Sequence, residues 1–118
     1  MKRVLVIEND IDTLEMVGIL LADSGFEIIQ SVNKTSIHDI IVLNPDLVII
    51  DYLLGDCYGD QLCSEIKSNP LANQIPVILF SASHHLEQIA KECGADAYIP
   101  KPFDISYFEE KVKELVCD

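Results

Sequence analysis

The chain has 118 residues, 49% hydrophobic and 24% charged, a composition that suits one globular domain with a real core. Its formal net charge of −12 argues against binding nucleic acid or an anionic membrane surface, because both need clustered Lys and Arg. No apolar stretch nears the ~20 residues of a bilayer span, and Met1-Lys2-Arg3-Val4 has no small-residue cleavage site, so the expectation is a single cytoplasmic domain over residues 1–118.

Apolar runs and helical periodicity alternate along the chain. Val4-Leu5-Val6-Ile7 reads as a first strand and ends in Glu8, Asn9 and Asp10. Ile11, Leu14, Gly18 and Leu21 share a helical face, and Gly25 can stop that helix. The second strand, Phe26 to Val32, holds Glu27, Gln30 and Ser31 and is polar enough for a sheet edge. Ser36 to Leu43 predicts a short helix stopped by Asn44-Pro45-Asp46. Leu47-Val48-Ile49-Ile50 is the third strand, with Asp51 at its end. A loop with Gly55 and Gly59 precedes a helix from about Gln61 to Ser68, punctuated by Asn69-Pro70.

Pro76 opens the fourth strand, Val77-Ile78-Leu79-Phe80, which ends in Ser81. Leu86, Ile89, Ala90 and Cys93 form the next apolar stripe, with Gly94 as its stop. Ala97-Tyr98-Ile99 is the fifth strand, followed by Pro100 and Lys101. Asp104 can cap a last helix over Ile105 to Val116, with Phe108, Val112, Leu115 and Val116 facing inward.

Alternation at this spacing predicts an α/β fold with a parallel sheet covered on both faces. Right-handed crossovers then bring every strand's carboxyl end to one edge, where ligands of such sheets bind. Glu8, Asn9, Asp10, Asp51, Ser81 and Lys101 gather there. No glycine-rich phosphate loop is present, and carboxylate and amide oxygens with water suit a hard cation such as Mg²⁺. Cys57, Cys63, Cys93 and Cys117 show no CxxC spacing, so zinc is not expected and reduced thiols are the default. His38, His84 and His85 read as surface side chains.

Over essentially all of its length the sequence resembles the receiver domains of response regulators in two-component signalling, the fold of the bacterial chemotaxis regulator. The resemblance rests on the acidic cluster after strand one, Asp51 with Gly59 eight residues on, Ser81-Ala82 after strand four, and Lys101-Pro102-Phe103 after strand five. It implies a doubly wound five-stranded parallel sheet in the order 2-1-3-4-5. It also implies that Asp51 accepts a phosphoryl group from a histidine kinase or a histidine phosphotransfer protein. Mg²⁺ or Mn²⁺ would be held by Glu8, Asn9, Asp51 and the backbone carbonyl of Leu53, with Asp10 as a further donor. Ser81 and Lys101 would contact the phosphoryl oxygens, Ser81 and Tyr98 would form the switch, and the bond before Pro102 would be cis. The face of helix four, strand five and helix five would carry the output to a downstream protein target or a fused output domain, and could also support a homodimer. Such a domain phosphorylates and dephosphorylates itself as a switch and is not a turnover enzyme.

Three positions depart from the family pattern. Asn9 stands where a carboxylate usually ligates the metal, Gly55 replaces a common proline, and apolar Leu53 lies beside the path of the hydrolytic water. A degenerate receiver serving only as a protein interaction module is therefore the alternative function. A small phosphohydrolase is the enzyme alternative, but its DxD motif is missing because position 53 is Leu.

Overall fold

The computed structural model describes residues 2–32, 35–54 and 57–116. Its main sheet is built from β1 (Arg3–Ile7), β2 (Glu27–Ser31), β3 (Leu47–Asp51), β4 (Val77–Ser81) and β5 (Ala97–Pro100). The spatial order is β2-β1-β3-β4-β5, and every neighbouring pair is parallel. Helices α1 (Ile11–Asp23), α2 (Ile37–Leu43), α3 (Gly59–Ser68), α4 (Leu86–Cys93) and α5 (Ile105–Val116) cover both faces. β3 and β4 are buried at every position, which is why their sequences are continuous apolar runs and not alternating ones. β2 lies at the edge and is partly exposed, as its polar residues predict.

The period-two alternation of each strand sorts its side chains between two cores. Val4, Val6, Leu47, Ile49, Ile78, Phe80 and Ile99 meet Leu14, Val17 and Leu21 of α1 and Phe108 and Val112 of α5. Leu5, Ile7, Val48, Ile50, Val77 and Leu79 meet Ile40 of α2, Leu62 and Ile66 of α3, and Leu86 and Ala90 of α4. Each buried Leu, Ile or Val stabilises the fold by roughly 1.5–3 kcal/mol. Which core a strand side chain joins depends on whether its position is odd or even.

Local signals set the helix ends. Ser36 caps α2 by accepting the Asp39 amide at 3.1 Å, and Asn44 ends that helix with a left-handed φ of 47°. Asp104 receives the Tyr107 amide at 3.0 Å at the start of α5. One expected core position is corrected: Ile11 is exposed, and the inward stripe of α1 is Leu14, Val17, Gly18 and Leu21. Ile11 belongs to the first turn, which follows the end of β1 and so stands beyond the sheet that Leu14 and Val17 cover.

The segment after Asp51 is also more ordered than a loop. Leu53–Leu54 pairs antiparallel with Cys57–Tyr58 in a short hairpin, and α3 begins at Gly59, two residues before its expected start. The Tyr52 and Tyr58 rings stack at 5.0 Å, and the Gly59 amide donates to the Tyr52 carbonyl at 2.6 Å. A side chain at Gly59 would bring its Cβ to 2.6 Å from Ile50 Cγ2 and closer still to the Asp51 carbonyl oxygen. Glycine thus lets α3 start directly against the end of β3. Gly55, expected to loosen this segment, lies outside the described residues. Among the described residues no helix is long and apolar enough to cross a membrane.

Candidate functional site

Glu8 continues the alternation of Val4 and Val6, Asp51 that of Leu47 and Ile49, and Lys101 that of Ala97 and Ile99. All three side chains therefore emerge on the α1/α5 side of the sheet's carboxyl edge. Lys101 Nζ donates to Glu8 Oε1 at 2.6 Å and lies 3.5 Å from Asp51 Oδ2. The same ammonium sits 4.6 Å from the centroid of the Phe80 ring, a cation–π contact. Glu8 is completely buried and Asp51 is 6% exposed. Their remaining oxygens take backbone amides: Asp10 N–H reaches Glu8 Oε2 and Leu53 N–H reaches Asp51 Oδ1, each at 3.3 Å.

Two carboxyl groups share one ammonium here, leaving a negative charge in excess in a place with little water. Burial, and then the neighbouring Glu8 carboxyl through its hydrogen bond and charge, push the Asp51 pKa from 3.8 up to about 7. Lys101 and the Leu53 amide oppose that rise without cancelling it. The excess charge and the oxygen donors fit a small hard divalent cation, and Glu8 and Asp51 are the residues that would hold one. Among the described residues no three Asp, Glu, His or Cys side chains group to hold a metal. An ion at Asp51 would accordingly keep several waters, as Mg²⁺ ordinarily does.

The other expected site residues lie differently. Asn9 is exposed at the rim. Asp10 is the N-cap residue of α1, and its Oδ2 accepts the Thr13 hydroxyl at 2.5 Å, which holds its pKa below the usual value. Ser81 follows Val77 and Leu79 in alternation, so it faces the α3/α4 side. Its hydroxyl accepts the Ser83 amide at 3.2 Å and makes no bond to the acid cluster. Tyr98 is on that same side, packed against the core that contains Leu79 and Ala90. It lines a groove of about 310 Å³ with Ala90 and Lys91 of α4 and Tyr107 and Lys111 of α5. The Lys101–Pro102 bond is cis.

Glu8, Asp51 and Lys101 thus form one cluster, with Ser81 and Tyr98 across the sheet from it. The residue profile of the response regulator receiver domain matches positions 4–113. The chain belongs to this family. It is 31% identical over 98% of its length to the phosphate regulon transcriptional regulatory protein PhoB of Pseudomonas aeruginosa, covering 52% of that protein. The receiver spans about half the length of the curated relatives it matches. Among solved structures it is similar to response regulator TrrA of Thermotoga maritima in complex with Mg²⁺ and BeF, with 29% identity, a TM-score of 0.85, and coverage of 98% of this chain and 99% of that one. It is also similar to the signal receiver domain of a DNA-binding response regulator of Colwellia psychrerythraea, at 25% identity and a TM-score of 0.87, with all of both chains covered.

Two features of the receiver's site were not anticipated from sequence. Lys101 is closest to Glu8, not to Asp51, and the Tyr52–Tyr58 stack braces the hairpin above the site. Counting alternation outward from the strands would have separated Ser81 from the other three groups. Nothing in the sequence marked the tyrosine pair.

Proposed function

We propose that this receiver is a phosphoacceptor switch in which Asp51 takes a phosphoryl group from the phosphohistidine of a histidine kinase or phosphotransfer protein. The observation that carries this reading is the buried Asp51 carboxylate at the end of β3, next to Glu8 and within 3.5 Å of the Lys101 ammonium. An Asp51 oxygen attacks phosphorus, the P–N bond breaks, and the histidine nitrogen keeps the electron pair and then takes a proton. An acyl phosphate results. Transfer of this kind depends on positioning and charge neutralisation, both of which rigid strand ends provide. When bound, Mg²⁺ or Mn²⁺ supplies neutralisation of the phosphoryl oxygens.

Lys101 has three N–H donors and can keep Glu8 while reaching a phosphoryl oxygen. Ser81 turns towards Asp51 and donates its O–H to another phosphoryl oxygen, and Tyr98 follows it inward beside α4. The α4–β5–α5 face then changes shape and is read by a downstream protein or an attached output domain. The setting is cytoplasmic, and direct nucleic-acid contact is left to other parts of the pathway, consistent with the net charge of −12.

Incubation with acetyl phosphate and Mg²⁺, followed by intact-mass measurement, tests the proposal. One added phosphoryl group, absent in Asp51→Asn, is expected. No mass gain in saturating Mg²⁺ would overturn the proposal and favour an interaction module that works without phosphate.

A further inference from the structure

We propose that Cys63 of α3 and Cys93 of α4 are an oxidation site, forming a reversible disulfide that staples the two helices together when the protein meets a hydroperoxide. Cys63 is fully buried in the α3/α4 core and its Sγ donates to the Cys93 carbonyl at 3.5 Å. The Cys93 Sγ in turn donates to the Ala90 carbonyl at 3.6 Å, so both thiols sit at the same point of the α3/α4 contact. Both are reduced and free in the structure. A disulfide requires Cα atoms roughly 4.4–6.8 Å apart, and packed helices on which one cysteine's sulfur already reaches the other's backbone carbonyl need little movement to meet that condition.

The two cysteines are not equivalent. Cys93 is the last residue of α4 and lines an open cleft of about 410 Å³ with Asp60, Gln61, Ser64, Glu65 and Glu92. Among the described residues one buried Asp60 carboxylate oxygen has no hydrogen-bond partner, and Gln61, Ser64, Glu65 and Glu92 make the cleft wall polar, which suits a small polar oxidant. Cys63 has no such access. The neighbouring Cys63 thiol pulls the Cys93 pKa down to about 7 against burial and the Asp60 carboxylate, while the Cys93 neighbour and burial push Cys63 up. Cys93 is therefore the attacking sulfur and Cys63 the resolving one.

The chemistry balances with one hydroperoxide per disulfide. The Cys93 thiolate attacks the peroxide O–O bond, which breaks, giving Cys93 sulfenic acid and hydroxide. Cys63 sulfur then attacks the sulfenic sulfur, hydroxide leaves, and protons from the thiols complete two waters. The two sulfurs are oxidised and the peroxide oxygens reduced. A dithiol reductant reverses the bond by exchange.

None of these steps depends on phosphoryl transfer to Asp51, so this proposal and the proposed function fail independently. The test uses the whole chain at low concentration, both wild type and a Cys57→Ser/Cys117→Ser variant. After treatment with hydrogen peroxide, peptide mapping without reduction should show one Cys63–Cys93 crosslink in both proteins. Two free thiols should be lost and both restored by dithiothreitol. Cys93→Ala should lose the crosslink while leaving Cys63 unoxidised. Unreacted thiols, irreversible Cys93 sulfinic acid in place of the crosslink, or linkage through Cys57, Cys117 or a second molecule would each overturn the proposal.

Discussion

Replacing Asp51 with asparagine is expected to stabilise the folded protein above pH 7 while removing the proposed phosphoacceptor. The Asp51 carboxyl titrates at an ordinary 3.8 when unfolded and at about 7 when folded, because burial and Glu8 disfavour its charge. Between those values the native state holds a proton that the unfolded state has released. Stability from this group is thus complete below pH 3.8 and is lost as pH rises through 7. At about 1.36 kcal/mol per pKa unit, the full linkage sets a ceiling of about 4 kcal/mol. The carboxyl is 6% exposed, but at the sheet's carboxyl edge local relaxation and water penetration relieve part of the penalty, which reduces the effect to about 1–2 kcal/mol. Asparagine keeps the shape and cannot ionise, so it escapes the penalty. Since the chain has no tryptophan, urea unfolding at pH 5, 6, 7 and 8 with EDTA is followed by circular dichroism. The variant's advantage should be greatest at pH 8 and shrink towards pH 5. Adding Mg²⁺ should close part of the gap by stabilising the wild type. An advantage independent of pH, or none at pH 8, refutes the account of a strained acid pair.

Three further outcomes follow from the geometry. Asn9→Asp is expected to tighten Mg²⁺ binding about five- to tenfold, the order of 1 kcal/mol that an added charge near the ion contributes; calorimetric titration showing unchanged affinity removes the idea. Gly59→Ala places Cβ 2.6 Å from Ile50 Cγ2 and against the Asp51 carbonyl, so overpacking should exceed the gain in helix propensity and lower stability by about 1–2 kcal/mol. An unchanged or higher urea midpoint would show that α3 can shift freely. Leu53→Asn puts an amide at an exposed position beside Asp51, where it can orient water and shorten the acyl-phosphate lifetime roughly tenfold; an unaltered decay rate counts against that role for Leu53.

The fold was readable because its signals are local. Val4 to Ile7, Leu47 to Ile50 and Val77 to Phe80 are buried without interruption, and unbroken apolar runs of that length between helical stripes have few other readings. Asp104 and Ser36 act at helix starts as their residue types suggest. Ile11 misled because helical spacing shows which face a residue shares and not where the covered sheet stops. The hairpin after Asp51 depends on ring stacking and on the close approach of Gly59, both tertiary, so only a glycine was visible. The convergence of Glu8, Asp51 and Lys101 was legible from strand ends, whereas the choice of Glu8 as the partner of Lys101 is a matter of side-chain geometry that spacing does not encode.

Phe80 and Ser81 are joined by a single peptide bond, yet one lies under the Lys101 ammonium and the other faces the α4 side. Under the proposed function, a covalent event at Asp51 and its readout near Tyr98 would be separated by the thickness of one strand. The signal would then cross by a local twist of β4, with no chain of intermediaries through the interior. Residues distant from that strand should then change how stable the domain is without changing how faithfully it reports.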